Sequence, residues 1–394
     1  MMNGWETKKL SDLYQIGSSK RVMKSQWKTS GVPFYRGREV TQLAVDGFVD
    51  NELFISEEHF AELSERYGVP KVGDIIITAI GTIGNSHVVR GSDRFYFKDA
   101  MVLWMKRTAD VSSEFVNLWL KSDSFVDQLD RGNGAIVDTL SIQRLKSVEL
   151  RLPTLREQRR IVSLLDEAFE GIAVAKANAE KNLENACTTF ESHLQSVFTY
   201  RGPGWTEAKL GEVCDFIRGS QPPKSVFSKA RNRDNIRLIQ IRDYKSDNHI
   251  VYIPRAQAKR FCDVDDVMVG RYGPPLFQIL RGLEGAYNVA LMKAVPDASK
   301  LSRDFLFYFL KHPNILQYVI YHSARAGGQI GLTKETLEPY PIALPSLNDQ
   351  RRVVETITEL EFSTQRLAGI YMQKLAALDD LKNSLLHEAF TGKL

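Results

Sequence analysis

The chain has 394 residues, 43% of them hydrophobic, which is enough to bury more than one core and suggests two or three domains. No apolar run reaches membrane-spanning length and the opening MMNGWETKKL carries no apolar signal stretch, so a cytoplasmic protein is expected. Cys187, Cys214 and Cys262 are odd in number and widely spaced, which fits neither a disulfide framework nor a zinc cluster.

In chain order, residues 1–151 read as a strand-rich α+β domain. WETKKLSDLYQI from Trp5 leads into the Gly-Ser stretch IGSSKRVMK. The segment VPFYRGREV from Val32 alternates apolar and polar residues like a half-buried strand. VGDIIITAIGTIG from Val72 is an apolar strand ending in glycine, and EFVNLWLKS near Glu114 is a short helix. Residues 152–199 open as LPTLREQRRIV and continue as one long helix. After the linker YRGPGW from Tyr200 to Trp205, residues 200–343 repeat the first domain: WTEAKLGEVCDF, then IRGSQPPK, IRLIQIRDY, VDDVMVGRYGPP and DFLFYFLKH. Residues 344–394 open as LPSLNDQRRVV, 192 residues after the first copy.

The two helices follow from their apolar period. Ile161, Leu165, Ala168, Ile172, Ala179, Leu183, Phe190 and Leu194 recur along one face of the first. Val353, Ile357, Leu360, Leu367, Tyr371, Leu378, Leu381, Leu385 and Ala389 do so in the second. Thr154 and Ser346, each after a proline, are candidate N-caps. A helix of about 45 residues is roughly 65 Å long and lacks enough globular sequence to cover it. The two stripes are therefore expected to bury each other as an antiparallel coiled pair, because the short YRGPGW linker leaves no room for a parallel return. The architecture is then domain, helix, domain, helix, with an internal pseudo-two-fold repeat.

The net charge of +4 decides little, but its distribution is informative. Residues 200–345 hold 21 basic and 14 acidic residues, whereas residues 1–153 hold 20 of each. A basic excess on one segment points to nucleic acid. The groups that read DNA are Arg and Lys for phosphates and guanine edges, and Gln or Asn for adenine. Lys20, Arg21 and Lys24 cluster near Trp27 after a Gly-Ser turn, and Lys224 stands at the equivalent place in the second domain. Gly17 and Gly219 free backbone for close phosphate approach. Arg36 and Arg38, and then Arg237, Gln240 and Arg242, alternate with apolar residues on the following strand, and Arg271 and Tyr272 sit on a later loop. All eleven side chains are DNA-binding candidates.

Catalytic motifs are missing. The only Pro-Pro pairs, in QPPK and GPPL, lack the Asn or Asp and the aromatic flank of an amino-methyltransferase, and there is neither a GxxxxGK[ST] loop nor HExxH. Pro296-Asp297 has no nuclease-type Glu-x-Lys partner, and the histidines are single. No catalytic residue, metal ligand or cofactor is expected. A coiled-coil scaffold joining two protein-binding domains is the alternative, from a different class.

This order of parts resembles the specificity subunit of type I restriction-modification enzymes over the whole chain. In that family two target recognition domains alternate with conserved regions that open with Leu-Pro and then a glutamine. Leu152, Pro153, Leu155 and Gln158, and again Leu344, Pro345, Leu347 and Gln350, occupy those positions, with Asp349 standing where the first copy has Glu157. The resemblance implies a DNA-reading subunit without catalysis. It would hold two methyltransferase subunits and the restriction/translocase subunits on double-stranded DNA, each domain reading one half of a bipartite site. Methyltransferase contacts are then expected at Leu155, Gln158, Arg159 and Arg160, and at Leu347, Gln350, Arg351 and Arg352, since a duplicated surface binds the same partner twice.

Overall fold

The computed structural model describes residues 4–129, 139–200, 202–273, 275–323 and 331–394; of the YRGPGW linker, Arg201 lies outside them. The chain divides into two compact units, one of Met1–Ala179 with Gln373–Leu394 and one of Glu180–Met372. Each unit therefore contains a globular domain plus part of both long helices.

In the first unit the order is β1 (Glu6–Lys9), α1 (Leu10–Leu13), β2 (Tyr14–Ser18), β3 (Val32–Tyr35), α2 (Gly37–Asp46), β4 (Phe54–Ile55), α3 (Glu57–Tyr67), β5 (Ile75–Thr78), β6 (Ser86–Val88), β7 (Tyr96–Phe97), β8 (Val102–Arg107), α4 (Ser113–Trp119), α5 (Asp123–Leu129), α6 (Ile142–Ser147) and β9 (Glu149–Leu152). An antiparallel sheet has the order β2-β8-β5-β6, and a smaller one runs β4-β3-β7 with β3 and β7 parallel. The β-branched run Ile75–Ile77 is fully buried because β5 lies inside its sheet and is covered on both faces. Just before it, the buried carboxylate of Asp74 accepts from the Trp104 indole and the Arg107 amide, tying the turn to β8. The first and last strands, β1 and β9, pair antiparallel with Glu6 opposite Leu152, so the chain leaves the domain where it entered.

The second unit repeats this plan with β10 (Thr206–Lys209), β11 (Cys214–Arg218), β12 (Asn235–Ile239), β13 (Tyr252–Pro254), β14 (Phe261–Cys262), β15 (Val267–Gly270), β16 (Ile279–Leu280), β17 (Gly285–Tyr287), β18 (Leu291–Pro296), α8 (Arg303–Lys311), α9 (Pro313–Ser323), α10 (Lys334–Leu337) and β19 (Pro341–Leu344). Its sheets are β11-β18-β15-β16 and β13-β12-β17-β14, and β10 pairs with β19 with Thr206 opposite Leu344. Asp266, 192 residues after Asp74, is again buried, and here it accepts from the Lys293 ammonium at 3.0 Å. The units differ after β3 and β12: the first builds the ten-residue α2, the second two short 3-10 turns, Ile241–Tyr244 and Asp247–His249.

The long helices α7 (Leu155–Thr199) and α11 (Leu347–Thr391) are 45 residues each. Thr154 and Ser346 cap them, accepting from the amides of Glu157 and Asp349. In the first unit, Ile161 and Leu165 near the start of α7 share a core with Leu386, Ala389 and Phe390 at the end of α11. Phe390 meets Phe115 of α4 edge-on at 5.2 Å between ring centroids. In the second unit, Ile357 near the start of α11 clusters with Leu194 near the end of α7 and with Tyr308. Phe198 meets Phe305 of α8 at 5.3 Å. In both units the start of one helix lies beside the end of the other, so the pairing is antiparallel. The face differs from expectation at Leu367 and Leu381, which are 45% and 47% exposed. Between Leu367 and Leu381 the half-buried positions of α11 are Ala368, Gly369, Tyr371, Leu375 and Leu378.

Phe390 is 5% exposed, and replacing it with alanine removes a packed ring that costs about 3 kcal/mol. Phe390→Ala is expected to lower the stability of the first unit by that amount and to speed amide exchange around Ile161 and Leu386. Exchange around Leu194 and Ile357 should stay as in the native chain.

Candidate nucleic-acid and partner interfaces

At the start of each long helix the two copies of the motif arrange themselves alike. Gln158 is 1% exposed and Gln350 is 0% exposed. The Gln158 side chain accepts from the Ser112 amide at 2.9 Å and donates to the Pro153 carbonyl at 2.8 Å. Gln350 accepts from the Ser302 amide at 2.8 Å and donates to the carbonyls of Lys300 and Pro345 at 2.7 and 3.1 Å. Both side chains are buried and bonded inside the protein, so the expected partner contact at these two glutamines is corrected to an internal one. The other candidates stay on the surface. Arg159 and Arg351 are exposed with no ion pair among the described residues. Arg160 is bonded to Glu157 at 2.9 and 2.7 Å and to the Leu394 carbonyl, while Arg352 lies 3.7 Å from Asp349. Leu155 is half-buried and Leu347 is exposed.

Of the first unit's basic candidates, Arg36 and Arg38 follow directly on β3, and Lys20 and Arg21 lie on the loop after β2. The loop after β2 is held on β7, with Ser19 Oγ donating to the Phe97 carbonyl and the Lys20 amide to the Tyr96 hydroxyl. The Lys20 ammonium lies 5.4 Å from the Tyr67 ring centre, and Arg21, largely exposed, contacts Asp99 at 2.9 Å. Lys24 is exposed on a 3-10 turn, Lys24–Gln26. Because β7 pairs with β3, this loop borders the residues that follow Tyr35. Arg36 and Arg38 were expected on the strand, yet β3 stops at Tyr35 and Arg36 is the N-cap of α2. Gly37 and the Glu39 carboxylate draw the chain into a helix: Glu39 accepts from the Arg36 amide at 2.9 Å, as an N3 carboxylate does in a capping box.

Glu39 also holds the guanidinium of Arg36 at 2.6 and 3.1 Å and that of Arg38 at 3.2 Å, and Arg38 reaches Glu52 at 2.9 Å. Burial pushes the Glu39 carboxyl up, but the Arg36 hydrogen bonds and charge outweigh it and hold it below the usual carboxylate range. The bond to Glu39 raises Arg36 in turn.

The second unit builds the same corner with other residues. Gln240 is the N-cap where the first unit has Arg36, Arg242 stands for Arg38, and Asp243 for Glu39, accepting from the Gln240 amide at 3.1 Å. Arg237, on β12, pairs with Asp247 at 3.1 Å and lies 3.9 Å from Asp243. Burial raises the Asp243 carboxyl, and the Gln240 amide and the charges of Arg237 and Arg242 do not outweigh it. Arg242 and Lys224 are exposed and carry no ion pair among the described residues.

Two further readings are corrected here. Arg271 is 2% exposed and donates to the carbonyls of Leu332 and Val289 at 2.8 and 2.7 Å, so it braces the interior; burial lowers its pKa. Tyr272 beside it is 37% exposed, with the Arg271 guanidinium 4.9 Å from its ring centre. Gly219 does not offer its amide to a phosphate, since the N–H donates to the Leu291 carbonyl and a Cβ there would stand 1.9 Å from the Asn288 oxygen. Gly17 lies within β2, opposite Trp104.

Sequence reading missed Ser112, Ser302 and the Asp74/Asp266 pair. Ser112 and Ser302 stand 190 residues apart, close to the repeat offset, and that is the signal that finds them. Among the described residues no group of three or more His, Cys, Asp and Glu side chains is placed to hold a metal. No helix of the described residues is long and apolar enough to cross a membrane.

The two corners differ in what their arginines are for, and this is measurable. Arg36→Ala strips the buried Glu39 of its main partner and is expected to cost about 2 kcal/mol in denaturant unfolding. Arg242→Ala, which removes an unpaired surface charge, should change stability by less than about 0.5 kcal/mol.

A family model described as the type I restriction modification DNA specificity domain matches residues 2–185 and again 203–370. A protein of Haemophilus influenzae named as a type I restriction enzyme specificity subunit is 31% identical over 183 residues; the match spans 44% of this chain and 45% of that protein. A MjaX specificity subunit from Methanocaldococcus jannaschii is 20% identical over 99% of this chain and 93% of its own length. Among solved structures, a chain from a type I restriction-modification system aligns over 100% of this chain with a TM-score of 0.80 and 21% identity. The HsdS subunit of Thermoanaerobacter tengcongensis gives 0.61 at 21% identity over the same span. With both halves matched by one family model, the chain belongs to the type I restriction modification DNA specificity domain family.

Proposed function

We propose that this chain is the DNA sequence-specificity subunit of a type I restriction-modification complex, with no catalytic step of its own. The observation that carries the reading is the duplication. The family's DNA specificity domain occurs twice, and each copy ends in a long helix whose first turn is anchored in the same way. Two similar recognition bodies on one chain suit a bipartite target, one body for each half-site. The side chains best placed to meet DNA are the exposed Lys20, Lys24, Lys224, Arg242 and Tyr272, with Lys and Arg supplying phosphate contacts. Gln240, at the same N-cap position as Arg36, suits adenine where arginine suits guanine.

The exposed arginines Arg159, Arg160, Arg351 and Arg352, with Leu155 and Leu347, form two equivalent surfaces for two methyltransferase subunits, on which the restriction/translocase subunits assemble in turn. Such a complex works on chromosomal DNA in the cytoplasm. Sequencing methylated bases in the host, with and without the gene for this chain, tests the reading. A bipartite methylated motif is expected to vanish on deletion and to return on complementation. A motif that survives deletion contradicts the proposal.

A further inference from the structure

Helices α4 and α8 begin in an unusual way. Their N-caps, Ser112 and Ser302, accept through Oγ from the amides of Phe115 and Phe305 at 3.2 Å. In a complete capping box the N3 side chain would return a bond to the N-cap amide. Here N3 is phenylalanine, fully buried in both units, and the missing acceptor comes from another helix: Gln158 of α7 reaches the Ser112 amide and Gln350 of α11 the Ser302 amide. A primary amide is needed because each side chain must accept on one atom and donate on the other, to Pro153 in one unit and to Lys300 and Pro345 in the other. Glutamate or methionine supplies only part of this. The bond joins the first turn of each long helix to the short helix whose phenylalanine packs against the end of the other long helix.

From this geometry, and resting on the specificity reading above, we propose that Gln158 and Gln350 are positioning residues that fix the pose of each recognition domain on its helix and thereby set which spacer length between half-sites is accepted. Neither touches DNA: both are buried, so they act through the domain they hold. Loss of either pin lets its domain pivot while the base-reading surface stays as it was. Selectivity for the spacer should therefore fall, and the half-site sequences should not change.

The test uses the full complex in cells and sequencing of methylated bases. Variants are Gln158→Leu, Gln350→Leu and both together, with Gln158→Asn and Gln350→Asn as milder forms that keep a buried amide but shorten its reach. Ser112→Ala and Ser302→Ala are controls: they remove the cap hydroxyl and lower stability, yet keep the backbone N–H that the glutamine holds. The glutamine variants are expected to keep both half-sites and to methylate sites with spacers one base pair longer or shorter on the order of tenfold more, relative to the native spacer, the scale of a lost hydrogen-bond pair. The double variant should go further, and the serine controls should keep the native spacer. Unchanged spacer selectivity in the glutamine variants, in either the leucine or the asparagine form, overturns the inference, as does equal broadening in the serine controls. Altered half-site sequences overturn it too, since they place the glutamines in base reading. If the native complex shows no bipartite motif, the specificity reading itself fails and this inference with it.

Discussion

A 45-residue amphipathic helix cannot bury its own apolar stripe, and in this protein that constraint governs everything else. Each long helix finds cover at both ends, and each end belongs to a different unit. Ile161 and Leu165 of α7 lie in the core of the first unit while Leu194 of the same helix lies in a cluster of the second. The reverse holds for α11, with Ile357 in the second unit and Leu386, Ala389 and Phe390 in the first. Neither unit has a complete core without residues from both helices. Removing one helix therefore uncovers apolar surface in each unit, at about 25 cal/mol per Å². Polar bonds add direction to this packing: in the second unit the Tyr308 hydroxyl and the Lys311 ammonium converge on Glu361 of α11 at 2.7 and 3.0 Å.

Much of this was legible in the sequence because it depends on periodicity and repetition. The 192-residue offset, the Leu-Pro starts and the caps at Thr154 and Ser346 all found their places. What was not legible depends on pairing across distance. Nothing in VPFYRGREV says that Glu39 will hold two guanidinium groups, or that the strand ends before Arg36. Nothing near Arg271 says that the carbonyl of Leu332, 61 residues on, will take its proton donors. Gln158 and Gln350 drew attention for the right reason, their duplication, but the residue type alone does not tell a surface contact from an internal tie. Burial does, because an amide at 0–1% exposure must have its partners inside the protein.

The two units have also diverged in electrostatics within one backbone plan. In the first, carboxylates neutralise the arginines after β3: Glu39 and Glu52 hold Arg36 and Arg38, and Asp99 holds Arg21. In the second, Arg242 and Lys224 stand unpaired among the described residues, and the loop after Lys224 adds the exposed Lys229, Arg231 and Arg233. Unpaired cations release counterions when they meet phosphate, whereas a cation already bound to a carboxylate must first give up that bond. Under the proposed function, these unpaired cations would make the second unit's attraction to DNA the more salt-dependent of the two.

The central claim, that each unit reads its own half of a bipartite site on a shared helical frame, is tested most directly by exchange. Replacing residues 206–340 with the corresponding segment of a relative of different specificity leaves β19, both long helices and the whole first recognition domain in place. Sequencing of methylated sites in cells carrying this chimera should show one half-site changed and the other half-site intact. A motif changed in both halves, or changed in neither, would contradict the account.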